Sequence, residues 1–277
     1  LALVTEEIEG FFGVKSPDII QKNKEAAVKG FHLGKELRET GRVVFEIRPE
    51  AAVSDDIIVS GSEAVALGAL AGGCNFVAAY PMSPGTGVLT ILAQHAREFA
   101  IVAEQAEDEI SAVNMALGAW YAGARAMVTT SGGGFALMTE GISLAGMIES
   151  PLVVHVAQRP GPATGLPTRT EQADLDLVLY AGHGEFPRII LAPGNLSDAF
   201  YVAQKAFQLA DEYQVPVFVL TDQFLVDTYY NVPRFALDRV SIKPQIVETT
   251  QDYRRYVLAP DGISPRGIPG YGTGLVG

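Results

Sequence analysis

From about residue 60 onward the sequence alternates between short apolar runs and longer stretches of helical period. The runs at 75–80, 100–103, 126–130, 152–157, 188–191 and 215–220 are apolar at successive positions rather than at every second one. A strand of that kind has to be covered on both faces. The stretches between and around them, 62–72, 87–98, 108–122, 135–149, 171–182 and 197–212, space their apolar residues for one face of a helix. Doubly buried strands that alternate with helices predict an α/β fold, a doubly wound parallel sheet of about six strands with helices on both faces. A chain of 277 residues is long enough to bury the core such a sheet needs.

Residues 1–42 read differently, being charged, helix-forming and nearly free of β-branched runs. Ser16-Pro17-Asp18 marks a helix start, with Ser16 as N-cap and Pro17 in the first helical position. Ile19, Ile20, Asn23, Ala26, Ala27, Gly30, Phe31 and Gly34 then fall on one face at helical period. Residues 43–58 are a mixed linker with one short apolar run at 43–47. The expected organisation is a short helical segment with its linker at 1–50, the α/β domain at 51–240, and a second linker at 241–277 leading to a further C-terminal domain. Opening on Leu1 and closing in the Gly-rich run 270–277, the chain reads as a piece of something longer.

Composition narrows the partners. The net charge of −12 argues against nucleic acid and against an anionic membrane surface. No apolar run approaches the roughly 20 residues that span a bilayer, and no basic and apolar leader opens the chain. A cytoplasmic location is therefore expected. A single cysteine, Cys74, excludes a disulfide framework and an iron–sulfur cluster held by this chain alone. His32, His95, His155 and His183 show no zinc-binding spacing, so no metal site is expected here.

In an open parallel sheet, ligands bind in the crevice beyond the carboxyl ends of the strands. Much of the domain's Gly, Pro, acid and Arg content lies in the segments that follow its strands. Glu109 opens the helix at 108–122, beside Glu104, Glu107 and Asp108. Two readings stand for it: a solvated acid that suits the helix dipole, or a carboxyl held in the crevice with a raised pKa, able to share a proton with a basic ring nitrogen. Ser131-Gly132-Gly133-Gly134 joins a strand to a helix, either as a plain tight turn or as a set of free amides for an anion. Arg159 follows a buried strand inside a Pro/Gly loop, where it either pairs within the loop or grips a ligand carboxylate with two bonds. In Tyr80-Pro81-Met82-Ser83-Pro84, two prolines fix the direction of the Ser83 hydroxyl.

Four of these segments carry a family resemblance. Tyr80-Pro81-Met82-Ser83-Pro84-Gly85-Thr86 resembles the Tyr-Pro-Ile-Thr-Pro-Ser-Thr motif of the 2-oxoacid:ferredoxin oxidoreductases. Residues 105–110, 130–138 and 158–168 resemble three further motifs of that family, in the order found in its α subunit and most of all in its 2-oxoglutarate-type branch. Residues 1–42 are similar to the end of the γ domain that some members carry ahead of the α portion. The resemblance implies a pyrimidine-binding domain for thiamine diphosphate. By position, Glu109 is implied to contact the aminopyrimidine N1′, Arg159 and Ser83 to hold the 2-oxoacid with Tyr80 beside them, and Ser131, Gly132 and Gly133 to line the cofactor. Ser83 stands in place of threonine, Gly85 in place of serine, and Gly133 where proline is common.

The implied reaction is oxidative decarboxylation of a 2-oxoacid, with coenzyme A taking the acyl group and ferredoxin the electrons. No stretch here resembles the Gly-Asp-Gly…Asn motif for magnesium and the diphosphate, so the resemblance assigns Mg2+, the diphosphate half of the site and the iron–sulfur cluster to a β subunit. The same residues would also suit another thiamine-dependent decarboxylase or synthase, or a domain kept for assembly alone.

Overall fold

The structure, a computed structural model, describes every residue except 46, 49, 275 and 277. The chain divides into two units, Leu1–Ala52 and Val53–Gly277. The first holds two helices, α1 (Ala2–Phe12) and α2 (Pro17–Glu39). Ser16 occupies the N-cap of α2 with Pro17 behind it, but its side chain makes no capping hydrogen bond. The Asp18–Lys22 ion pair at 2.6 Å braces the first turn instead. Neither helix has a buried residue; Ile19 and Phe31, from the expected apolar face, are 39% and 50% exposed.

The second unit is built on β1 (Ile57–Ser60), α3 (Gly61–Ala71), β2 (Phe76–Ala79), α4 (Thr86–Gln94), β3 (Val102–Gln105), α5 (Glu109–Tyr121), β4 (Ala126–Thr130), α6 (Gly132–Leu137), α7 (Thr139–Met147), β5 (Leu152–Gln158), α8 (Leu175–Leu179), β6 (Ile189–Leu191), α9 (Leu196–Tyr213), β7 (Pro216–Asp222), α10 (Gln223–Asp227) and β8 (Tyr229–Val232). Six strands pair in parallel in the order β3-β2-β4-β5-β7-β6. Helices α3, α4 and α9 pack together on one side; α5, α6 and α7 pack together on the other. The central strands β4, β5 and β7 are buried along their whole length, as successive apolar residues demand. Among the described residues, no helix is long and apolar enough to cross a membrane.

Side-chain caps set where several helices begin. Ser60 and Glu63 form a reciprocal capping box at α3, and Asp108, Asn195 and Asp222 accept backbone N–H groups at the starts of α5, α9 and α10. The sequence reading differs from the structure in three places. A two-stranded antiparallel ribbon, β1 with β8, stands where the linker was expected to run on to residue 58. The helical stretch 135–149 is two helices that meet at Met138. The stretch 171–182 shrinks to the short α8, with the N–H of its N-cap residue Asp174 donated to Gln158 Oε1 at 3.0 Å.

Residues 241–274 carry little regular structure yet are built into this unit. Arg266, only 5% exposed, and Arg125 each bond one carboxylate oxygen of the buried Asp211 on α9. The two guanidinium groups lie 5.5 Å and 5.8 Å from the Trp120 ring, and Arg266 Nη1 donates to the Trp120 carbonyl at 3.3 Å. Burial pulls the pKa of Arg125 down, and the Asp211 charge opposes that shift. Asp211 is thus the shared counter-ion of two cations with side chains 10% and 6% exposed. Replacing it leaves both charges buried without compensation. Asp211→Asn is expected to cost about 3–5 kcal/mol of unfolding free energy, read as a drop in the denaturant midpoint; a loss below about 1 kcal/mol would show that the cluster contributes little.

Candidate functional site

The chain leaves β2 for β3 on one side and then crosses to β4 on the other, so the strand order reverses between β2 and β4. A crevice opens at the carboxyl ends of the strands at such a reversal. The segments that follow β2, β3, β4 and β5 meet there, and they hold every residue that the sequence singles out.

Glu109 is the first residue of α5 and is 2% exposed. Its Oε1 has no hydrogen-bond partner. Burial raises its pKa above the usual carboxylate value, and Asp108 adds to this; its own backbone amide at the helix start and the Arg159 charge pull the other way. Of the two readings open for this residue, the solvated helix-start acid is excluded by its burial.

The turn after β4 is shaped around that carboxyl. A Cβ on Gly134 would lie 2.4 Å from Glu109 Oε1 and 2.2 Å from Thr130 Oγ1, so only glycine lets the carboxyl sit there. A Cβ on Gly132 would lie 2.3–2.4 Å from the Asp174 carboxylate. At Gly133 it would meet only the Ala163 carbonyl at 3.3 Å and Met82 Sδ at 3.9 Å. One side of the turn therefore faces α5, and another faces the loop that follows β5. Ser131, fully buried, has an unpartnered Oγ of its own.

Arg159 is 7% exposed, and its Nη1 donates to the backbone carbonyl of Ser83 at 2.6 Å. The guanidinium thus ties the loop after β5 to the loop after β2 instead of pairing with an acid of its own loop. Its charge reaches both Glu109 and Asp174. Ser83 is exposed and Tyr80 is 41% exposed, so these two stand at the rim while Glu109, Ser131 and Arg159 form the floor.

Asp174 was missed by the sequence reading. It is half-buried, its Oδ2 is unpartnered, and burial, with Glu171 beside it, raises its pKa against the pull of Arg159. In the sequence nothing separates it from Glu171 or Asp176; only the fold lays it over Gly132. Two carboxyl groups with raised pKa values, one guanidinium and a glycine turn make a site for a ligand that offers hydrogen-bond donors and a negative group. Among the described residues, no group of three or more His, Cys, Asp or Glu side chains is placed to hold a metal. A cavity of about 680 Å³ one strand further along this edge, near Gln172, Asn195 and Asp222, is lined by none of Glu109, Ser131 or Arg159.

Residues 67–276 match the family described as "Pyruvate flavodoxin/ferredoxin oxidoreductase, thiamine diP-bdg". The chain is 38% identical over 282 aligned residues to "2-oxoacid:ferredoxin oxidoreductase 1, subunit alpha" of Sulfurisphaera tokodaii, covering 96% of this chain and 44% of that protein. It is 40% identical to "2-oxoglutarate synthase subunit KorA" of Archaeoglobus fulgidus over 61% of this chain and 49% of that one. A solved structure, that of the 2-oxoglutarate:ferredoxin oxidoreductase from Magnetococcus marinus with 2-oxoglutarate, coenzyme A and succinyl-CoA bound, superposes with a TM-score of 0.84 at 39% identity. That match covers 96% of this chain and 46% of the other. The chain thus spans less than half the length of these relatives.

The glycine turn separates two outcomes. Gly134→Ala drives a methyl group into Glu109 and Thr130 and is expected to lose about 1–3 kcal/mol of stability. Gly133→Ala, which meets only the Ala163 carbonyl at 3.3 Å and Met82 Sδ at 3.9 Å, is expected to lose less than about 1 kcal/mol. Equal losses in chemical denaturation of the two variants would mean that the turn is not fitted to the Glu109 carboxyl.

Proposed function

This chain belongs to the pyruvate flavodoxin/ferredoxin oxidoreductase, thiamine-diphosphate-binding family, and we propose that it is the pyrimidine-binding part of the α subunit of a 2-oxoacid:ferredoxin oxidoreductase. The reaction is oxidative decarboxylation of a 2-oxoacid, 2-oxoglutarate before others, to an acyl-CoA and CO2 with reduction of ferredoxin. The observation that carries this reading is the buried, partly unpartnered Glu109 carboxyl set against Gly134 at the reversal of strand order.

The residues fit the cofactor. An unpartnered carboxyl oxygen with a raised pKa is what a basic ring nitrogen needs in order to share a proton, and Glu109 presents it buried at the start of α5. Ser131 Oγ and Asp174 Oδ2, which packs against the bare α-carbon of Gly132, add two further unpartnered polar atoms on this turn. When bound, thiamine diphosphate supplies the nucleophilic carbon and the electron sink. Arg159 supplies a fixed positive charge for the substrate carboxylate, Ser83 a hydroxyl at the rim, and Tyr80 a wall beside it. Asp174 lies close enough to Arg159 to temper that charge.

The diphosphate, its Mg2+ and the iron–sulfur cluster belong to a β subunit in this reading, with ferredoxin and coenzyme A reaching the site through the complex. Residues 1–50 then end a γ domain, 51–240 form the pyrimidine-binding domain, and 241–277 lead towards a C-terminal domain. The setting is cytoplasmic.

Glu109→Gln keeps the shape and removes the shared proton. In the full α chain assembled with its partner, the variant is expected to lose about 10²–10⁴-fold of 2-oxoglutarate-dependent viologen reduction. Stability moves the other way. A carboxyl whose folded pKa is raised stabilises the fold only at low pH, and that contribution disappears as pH rises through the folded pKa. At pH 7 the ionised group is a burden, so the variant's melting temperature is expected to equal or exceed that of the parent. Activity within a few-fold of the parent would overturn the assignment.

A further inference from the structure

The polar groups under the site form one chain, interrupted at Thr221 between its hydroxyl and its carbonyl, and the direction of the first part is read by counting protons. The Thr129 hydroxyl lies 2.9 Å from the Gly85 carbonyl and 2.9 Å from His155 Nδ1. It has one proton, which the bond to the Gly85 carbonyl uses, since that carbonyl can only accept. The Thr129 oxygen must then accept from His155, which places the imidazole proton on Nδ1. His155 is fully buried, and burial pushes its pKa down to about 3, so the ring carries only that proton. Nε2 is left as an acceptor and faces the Thr221 hydroxyl at 2.8 Å. On the far side, the Thr221 carbonyl accepts from Gln158 Nε2 at 3.1 Å, and Gln158 Oε1 accepts from the Asp174 N–H at 3.0 Å.

The chain crosses three adjacent strands, β4, β5 and β7, and ends on the two loops that flank the site. One end holds Gly85, two residues after Ser83; the other holds Asp174. We propose that His155 is a positioning residue for the 2-oxoacid: as a neutral Nδ1–H imidazole it locks Thr129 against the Gly85 carbonyl and so holds the turn whose Ser83 carbonyl is gripped by Arg159. This rests on the reading of the crevice as a 2-oxoacid site. The turn has no slack of its own, since a Cβ on Gly85 would lie 2.7 Å from the Thr130 carbonyl and 3.1 Å from Thr129 Oγ1. If the Thr129 donor is lost, the Gly85 carbonyl keeps only the Val88 N–H of its own helix start, at 3.3 Å, and the turn loses its tie to β4.

Thr129 gives the sharper test, because its substitutes separate polarity from volume. Valine keeps the shape and removes the hydroxyl; serine keeps the hydroxyl and removes a methyl group. In the full α chain assembled with its partner, Thr129→Val is expected to raise the KM for 2-oxoglutarate about tenfold while kcat changes less, and Thr129→Ser to recover most of that loss. A residue that only fills space would give the opposite order, and that order, or an unchanged KM in Thr129→Val, overturns the proposal. If Thr129→Val does not assemble, Thr221→Val removes only the donor to Nε2 and is expected to raise the KM about threefold; no change there overturns the proposal equally. Ring-15N spectra of the histidine-labelled full chain read the tautomer without any activity: the Nδ1–H form of His155 is expected, and the Nε2–H form overturns the proposal. An inactive parent complex with the Nδ1–H form would instead count against the 2-oxoacid reading and leave the relay standing.

Discussion

Parallel pairing of β4 between β2 and β5 is the constraint on which the site depends. Thr130 pairs with Val156 and Gln158 with Asp222, so the central strands leave the sheet at one edge and at nearly one level. Two of them, β4 and β5, are followed at once by a residue or turn that borders the crevice. Ser131 and the three glycines come directly after β4, and Arg159 directly after β5. An antiparallel arrangement of the same segments would send alternate ends to opposite edges and bring together half of them at most. Among the described residues, antiparallel strand pairing is found in the ribbon β1–β8 and not in the six-stranded sheet.

Holding polar groups ready for a ligand costs stability. Glu109 Oε1 and Ser131 Oγ are buried without partners, each at roughly 1–3 kcal/mol if nothing fills the site. The structure meets this at some distance from the crevice. The strands β5 and β7 are apolar over most of their length and fully covered, and the cluster of Asp211 with Arg125 and Arg266 closes the other end of the sheet, next to the start of β4 and the end of α9. Charge is satisfied at one edge and left open at the other. Residues that look alike in the sequence therefore do opposite things: Asp211 has both oxygens bonded to guanidinium groups, whereas Glu109 keeps one free.

The parts of the fold legible in the sequence are those with a local cause. Successive apolar residues at 126–130 and 152–157 mark β4 and β5 because a doubly covered strand has no polar face to show. The loops that carry Glu109, Ser131 and Arg159 could be found because strand ends are where an open sheet puts its ligands. What stayed hidden depends on distant partners. β1 and β8 are four residues each and are defined by pairing across about 170 positions, as Ile57 with Val232. Asp174 sits over Gly132 with its N–H held by Gln158, a partner 16 positions away. His155, inside an apolar strand, reads as a core residue until Thr129 and Thr221 are seen on either side of it.

The glycine at position 85, where the resembling motif has serine, shows how tightly these levels are joined. The turn at residues 83–85 is held from two neighbouring strands: Arg159, from the end of β5, bonds the Ser83 carbonyl, and Thr129, on β4, bonds the Gly85 carbonyl. With both bonds in place the turn lies so close to β4 that a Cβ at 85 would strike the Thr130 carbonyl. Serine at that position would have to lift the turn and stretch at least one of the two bonds. Glycine and the close seat therefore belong together. The rim of this crevice is set by backbone carbonyls tied to neighbouring strands, so its shape depends on residues such as Thr129 that lie beneath it.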